Sequence, residues 1–190
     1  MKRYIMIALI AALRLAGCSK ADDVVQSFTD TRESYAAEES SATQESSEAS
    51  DTGATYRLSV PEGYTELDVE GIEFYYMYED GSNINMNIQA KDAGFGLLTA
   101  DTLNAALAST FKQTYDVDIA ITDHYFTTEK ISGYSAYQYC ISYVFQDISF
   151  TQLIVGIDAD RTYTFTYTDV ADGTWLSTFE ESAKSIVITP

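Results

Sequence analysis

The chain has 190 residues, with 11 Lys and Arg against 29 Asp and Glu, for a formal charge of −18. That balance excludes nucleic acid as a partner, because binding it depends on Lys and Arg neutralising phosphates. It also argues against electrostatic adhesion to an anionic lipid surface.

The first elements form an export signal. Lys2 and Arg3 make a basic start, Tyr4 to Leu13 is a ten-residue apolar run, and the small residues Ala16 and Gly17 precede Cys18. This layout is that of a signal peptide, too short to span a bilayer as a permanent helix. Leu15-Ala16-Gly17-Cys18 reads as a lipobox. Small residues admit the scissile bond to a peptidase, and the thiol takes a diacylglycerol. Two acyl chains anchor a protein stably, where one is marginal. Residues 1–17 are therefore expected to be removed. Cys18 is expected to tie the chain to a bacterial membrane on its extracytoplasmic side. Arg14 departs from the pattern, since it interrupts the apolar stretch. Loss of Lys2, Arg3 and Arg14 leaves 8 basic and 29 acidic residues, a charge of −21.

Lipidation of Cys18 leaves Cys140 alone, so no intrachain disulfide or Cys/His metal framework is expected. Cys140 lies in an alternating run, Ala136 to Tyr143, and reads as a small buried strand residue.

Residues 18–55 comprise the lipidated cysteine and a tether. The stretch SYAAEESSATQESSEASDTGAT is rich in Ser, Glu, Ala and Thr. It cannot bury enough apolar surface to offset ordering entropy. A flexible coil over 19–55 has a reach of about 35 Å. Ala21 to Phe28 carries a short helical pattern.

Residues 56–190 form a domain long enough for a core. Strands are expected over Tyr56–Val60, Tyr64–Val69 and Ile72–Tyr78, with a turn at Pro61-Glu62-Gly63 and a hairpin at Asp80-Gly81. Ile84, Met86 and Ile88 alternate with Asn85, Asn87 and Gln89, giving the returning strand one polar face. A helix follows over Ala100–Tyr115, with Leu103, Leu107 and Phe111 on one stripe and Thr99 or Asp101 as its cap. Strands are expected at Val117–Ile121, Tyr125–Ile131, Tyr134–Phe145, Ser149–Ile157 and Arg161–Thr168, the second and third joined at Ser132-Gly133. A last helix over Thr174–Lys184 leads into Ile186–Ile188. Runs of hairpin-linked strands with segregated helices predict an α+β fold, a mainly antiparallel twisted sheet flanked by helices.

YRLSVPEGYTEL, the central helix, the meander ending in YTFTYT and the closing WLSTFEESAKSIVI resemble the PsbP-like superfamily, which includes bacterial DcrB-like lipoproteins. In that family a terminal helix with a Phe leads into a Ser-Ile strand, here Phe179 and Ser185-Ile186. Tyr64 stands where many relatives have Trp. The resemblance implies an α/β/α sandwich over about 56–190 and no shared catalytic residues. Its better-known members act as binding or assembly factors.

Candidate chemistry is sparse. His124 is the chain's one imidazole and reads as a strand-end or turn residue, and no serine sits in a nucleophile elbow. Carboxylate pairs at Asp116/Asp118, Asp158/Asp160 and Glu180/Glu181 offer general acid–base chemistry. Asp158 and Asp160, with Asp169 and Asp172, are candidate oxygen ligands for calcium on loops. Tyrosine is abundant at fifteen. Tyr137, Tyr139 and Tyr143 share one strand face and Tyr163 and Tyr167 another, as core stripes do. The adjacent Tyr75 and Tyr76 point to opposite faces, so one of them, with Tyr78, is expected in an exposed contact surface.

These features predict a non-catalytic binding or assembly module, its partner an envelope protein or a wall glycan. The alternative is a glycan-directed envelope hydrolase using paired carboxylates.

Overall fold

The computed structural model describes residues 55–69 and 71–189. The expected signal peptide, Cys18, the helical pattern over 21–28 and the expected tether up to residue 54 lie outside the described residues; Thr55, assigned to the tether by sequence, is the first residue of β1.

Alternating residues build nine strands among the described residues: β1 (Thr55–Arg57), β2 (Thr65–Glu66), β3 (Phe74–Met77), β4 (Asn83–Gln89), β5 (Ile121–Ile131), β6 (Tyr134–Phe145), β7 (Ile148–Asp158), β8 (Thr162–Asp169) and β9 (Val187–Thr189). Helix α1 spans Ala100–Tyr115 and α2 spans Leu176–Lys184; a 3-10 turn covers Phe95–Leu97. Seven strands form one antiparallel sheet in the order β2-β3-β4-β8-β7-β6-β5. β1 and β9 pair separately, antiparallel.

Each face of the large sheet buries its own cluster. On one face Phe74, Met86, Phe165 and Val155 stand in register across β3, β4, β8 and β7. They pack with Phe179 and Ala183 of α2, and with Tyr56, Leu58, Ile186 and Ile188 around the β1–β9 pair. On the other face Tyr137, Tyr139, Ile141, Tyr143, Phe150 and Ile154 pack under Leu103, Leu107 and Phe111 of α1. The result is an α+β fold, a mainly antiparallel sheet with a helix on each side. Cys140 is buried in the first cluster as a free thiol. Burial, helped by the nearby Glu180 charge, pushes that thiol up to about 11, so it is held as an inert thiol.

Helix α1 begins and ends for local reasons. Thr99 caps it: the Thr102 N–H donates to the Thr99 hydroxyl and the Thr99 N–H donates to the Thr102 hydroxyl. It stops at Asp116, which adopts a left-handed conformation with φ 54°. Lys112 then binds both Asp116 (3.0 Å) and Asp118 (3.1 Å). That clamp occupies the start of the strand that alternation predicts over Val117–Ile121. The strand instead begins at Ile121 and runs across a bulge between Asp123 and Tyr125 into a single eleven-residue β5.

Candidate functional site

The two adjacent tyrosines are not a surface. Tyr75 is 2% exposed and Tyr76 3% exposed. They do point to opposite faces, but both faces are covered there. Tyr76 joins the α2-side cluster beside Phe74. Tyr75 lies opposite Asn85, on a strip where Asn83, Asn85, Gln152, Thr166 and Thr168 are also buried. The polar face of β4 is therefore interior at Asn83 and Asn85 and half-buried at Asn87 and Gln89. Among the described residues Asn85 Oδ1 and Gln152 Oε1 have no hydrogen-bond partner, the condition an ordered water relieves.

Tyr78 is half-buried and belongs to an aromatic corner. Its ring lies 4.7 Å from Trp175 and 5.5 Å from Tyr64, and Tyr64 meets Trp175 edge-on at 5.3 Å. Three loops bring these residues together: the turn after Pro61, the β3–β4 hairpin and the segment entering α2. Gly63 permits the first, with φ +86° and the Tyr78 ring lying against its Cα. In the third, the Asp169 carboxylate accepts from the Ala171 and Trp175 N–H groups at 2.6 and 2.7 Å, which fixes the approach to α2. The Trp175 indole N–H donates to the exposed Asp80 carboxylate at 3.0 Å. Burial, with the charges of Asp80 and Asp169, holds the Tyr64 phenol far above its ordinary range. Half-buried Trp and Tyr with fixed rings beside a carboxylate form the anchor type on which protein contacts depend.

Beyond α2 the same sheet face opens into a shallow groove of ≈ 480 Å³, lined by Thr122, Ser142, Val144, Ser149, Thr151 and Asp172 among others. Thr122, Ser142 and Thr151 stand in register across β5, β6 and β7. Val144 is 60% exposed on this floor. His124 lies at the β5 bulge and its Nε2 is 3.0 Å from Ser142 Oγ. It is thus a strand histidine holding a neighbouring hydroxyl.

The four candidate calcium ligands do not meet. Asp158 and Asp160 precede β8 and Asp169 ends it, so its eight residues separate them by about 23 Å at strand rise. Asp158 pairs with Lys91 at 3.4 Å and Asp160 accepts from the Tyr163 hydroxyl at 3.0 Å. The Asp169 carboxylate is occupied by backbone N–H groups, and Asp172 lies on the groove wall. Among the described residues no three His, Cys, Asp or Glu side chains converge as a metal site. The carboxylate pairs are likewise committed elsewhere: Asp116 and Asp118 to Lys112, and Glu180 to the Tyr125 hydroxyl at 3.0 Å. Trp175 is the site residue that sequence reasoning passed over. Its signal is a lone tryptophan two residues after Asp172-Gly173 at a helix start.

No family model matches the chain, and no curated protein matches it. Solved structures do. The chain is similar to the PsbP protein of Synechocystis sp. PCC 6803, CyanoP, at a TM-score of 0.60 and 15% identity, over 83% of this chain and 99% of that one. It is also similar to LpqN of Mycobacterium tuberculosis, a protein involved in cell envelope biogenesis, at a TM-score of 0.51 and 13% identity, over 77% and 91%. At these identities the likeness defines the fold. Among the described residues no helix is long and apolar enough to cross a membrane.

Proposed function

We propose that the chain is an extracytoplasmic lipoprotein, cut before Cys18 and held by a diacylglycerol on that thiol. Its domain is a non-catalytic binding or assembly module of the cell envelope. The observation that carries the binding reading is the aromatic corner, where Tyr64, Tyr78 and Trp175 are preorganised beside Asp80. Rigid aromatic side chains lose little conformational freedom when a partner covers them. The partner is an envelope protein or a wall glycan, and the envelope role of LpqN agrees with that setting.

Capture from envelope extract by the full chain tests the reading. Trp175→Ala and Tyr78→Ala are expected to reduce retention of the partner at least ten-fold while thermal melts still show a folded domain. Retention unchanged in both would remove the corner from the reading. Cys18→Ser is expected to shift the chain from the membrane to the soluble fraction; continued membrane retention would remove the anchor.

A further inference from the structure

We propose that β5 is a self-association edge, across which two copies of the chain pair antiparallel about Thr128 and continue the sheet. This goes beyond the aromatic corner and does not depend on it. β5 ends the seven-stranded order, and among the described residues no strand pairs with its outer side. The bulge between Asp123 and Tyr125 leaves Tyr125–Ile131 as an unbroken run paired to β6. Thr127, Thr128, Glu129 and Lys130 are exposed, and Tyr125, Phe126 and Ile131 are half-buried. An open edge of this length is a ready template for another strand.

The sequence of this edge suits itself. A two-fold axis normal to the sheet keeps each face on its own side, so a residue must meet one of the same parity. Centring on Thr128 meets that condition. Thr128 then faces the second copy's Thr128, and Thr127 faces its Glu129. Phe126 faces its Lys130, and Tyr125 faces its Ile131. Thr–Thr pairs, an aliphatic stem with its ammonium over an aromatic ring, and apolar pairs are all favourable cross-strand combinations. No like charges oppose each other. Charge also favours this edge. Residues 56–190 hold 6 basic and 20 acidic residues, so two copies repel over most of their surface. The Tyr125–Ile131 run is neutral, with Glu129 and Lys130 cancelling. Seven residues span only about 24 Å. The contact is therefore small, and the dimer is weak and concentration-dependent.

The test uses the full chain in detergent micelles. Cross-strand Cβ atoms stand about 4.5–5.5 Å apart, close to disulfide reach. Thr128→Cys is expected to give a disulfide-linked dimer under mild oxidation, above the background of the parent chain. Ser177→Cys, exposed on α2, is expected to give none. Sedimentation equilibrium then reads the charge complementarity. Thr127→Lys, facing Glu129 twice in the dimer, is expected to tighten the dissociation constant by roughly two- to thirty-fold, and Thr127→Glu to weaken it by a similar factor. Cross-linking by Ser177→Cys as strong as that by Thr128→Cys overturns the proposal. So does a shift of Thr127→Lys and Thr127→Glu in the same direction, or no shift in either. Monomer at every concentration with no Thr128→Cys cross-link overturns it as well, as does capture of a different protein's strand at this edge.

Discussion

Gly156 shows how a single hydrogen atom can be a packing requirement. It lies opposite Tyr137 across β6 and β7, and the Tyr137 ring lies over it. That ring is itself held, stacked on Phe126 at 5.7 Å and against Phe95 at 5.4 Å. A Cβ at position 156 would stand 2.5 Å from Tyr137 Cζ, so the ring would have to shift against Phe126 and Phe95. Gly156→Ala is expected to destabilise the domain by about 1–3 kcal/mol, as overpacking does, read as a lower urea midpoint with an unchanged slope. Asp123 is a second local case. Hydrogen bonds from the Tyr139 hydroxyl (2.6 Å) and the Asn104 amide (2.7 Å) hold its carboxyl below the ordinary carboxylate range. A carboxyl depressed in the folded state stabilises above its unfolded value and loses that contribution as pH falls through the folded one. Asp123→Asn is therefore expected to be less stable than the parent at neutral pH, with the gap closing below about pH 4. Paired urea melts at the two pH values check this, and a gap that stays constant would contradict it.

At the scale of elements, α1 depends on its cap. Thr99 and Thr102 satisfy each other's N–H groups at a helix start that is otherwise exposed. Thr99→Ala is expected to cost about 1 kcal/mol in chemical unfolding. This helix was fully legible because its apolar stripe, its cap and its length coincide in the sequence. The β5–β6 hairpin was legible too, since Ser132-Gly133 separates two alternating runs and Gly133 readily takes the positive φ of the turn. Other features were not. Alternation assigns Tyr75 and Tyr76 to opposite faces, but it carries no information on whether a face is covered; that depends on strands and helices distant in the chain. For the same reason Asn85, read as part of a polar face with Asn87 and Gln89, is buried. The candidate calcium ligands sit on separate loops, and topology keeps those loops apart. Asp158 and Asp169 are eleven positions apart in sequence, but a strand between them holds them at opposite ends of the sheet. Trp175, by contrast, meets Tyr64 and Tyr78 because three separate loops end at one corner, a juxtaposition that no local pattern encodes.

Over the whole molecule, covering both faces of the sheet turns an abundance of tyrosine into a property of the fold. Burial raises the phenols of at least nine: Tyr64, Tyr75, Tyr115, Tyr125, Tyr137, Tyr139, Tyr143, Tyr163 and Tyr167. Tyr115, Tyr137 and Tyr163 are pushed up to about 12, and the rest rise further. The unfolded chain ionises its tyrosines near pH 10. An acid whose folded value is raised contributes stability that is complete below the unfolded value and is lost as pH rises toward the folded one. Each fully buried phenol steepens that loss by about 1.4 kcal/mol per pH unit. A domain stability of about 5–15 kcal/mol cannot outlast several such terms. The domain is therefore expected to unfold cooperatively about one unit above pH 10. Tyrosinate absorbance should stay low until that point and then rise together with loss of far-ultraviolet circular dichroism. A gradual rise near pH 10 with the dichroism intact would mean that the phenols reach solvent in the folded state, and that the two helices do not seal the sheet as described.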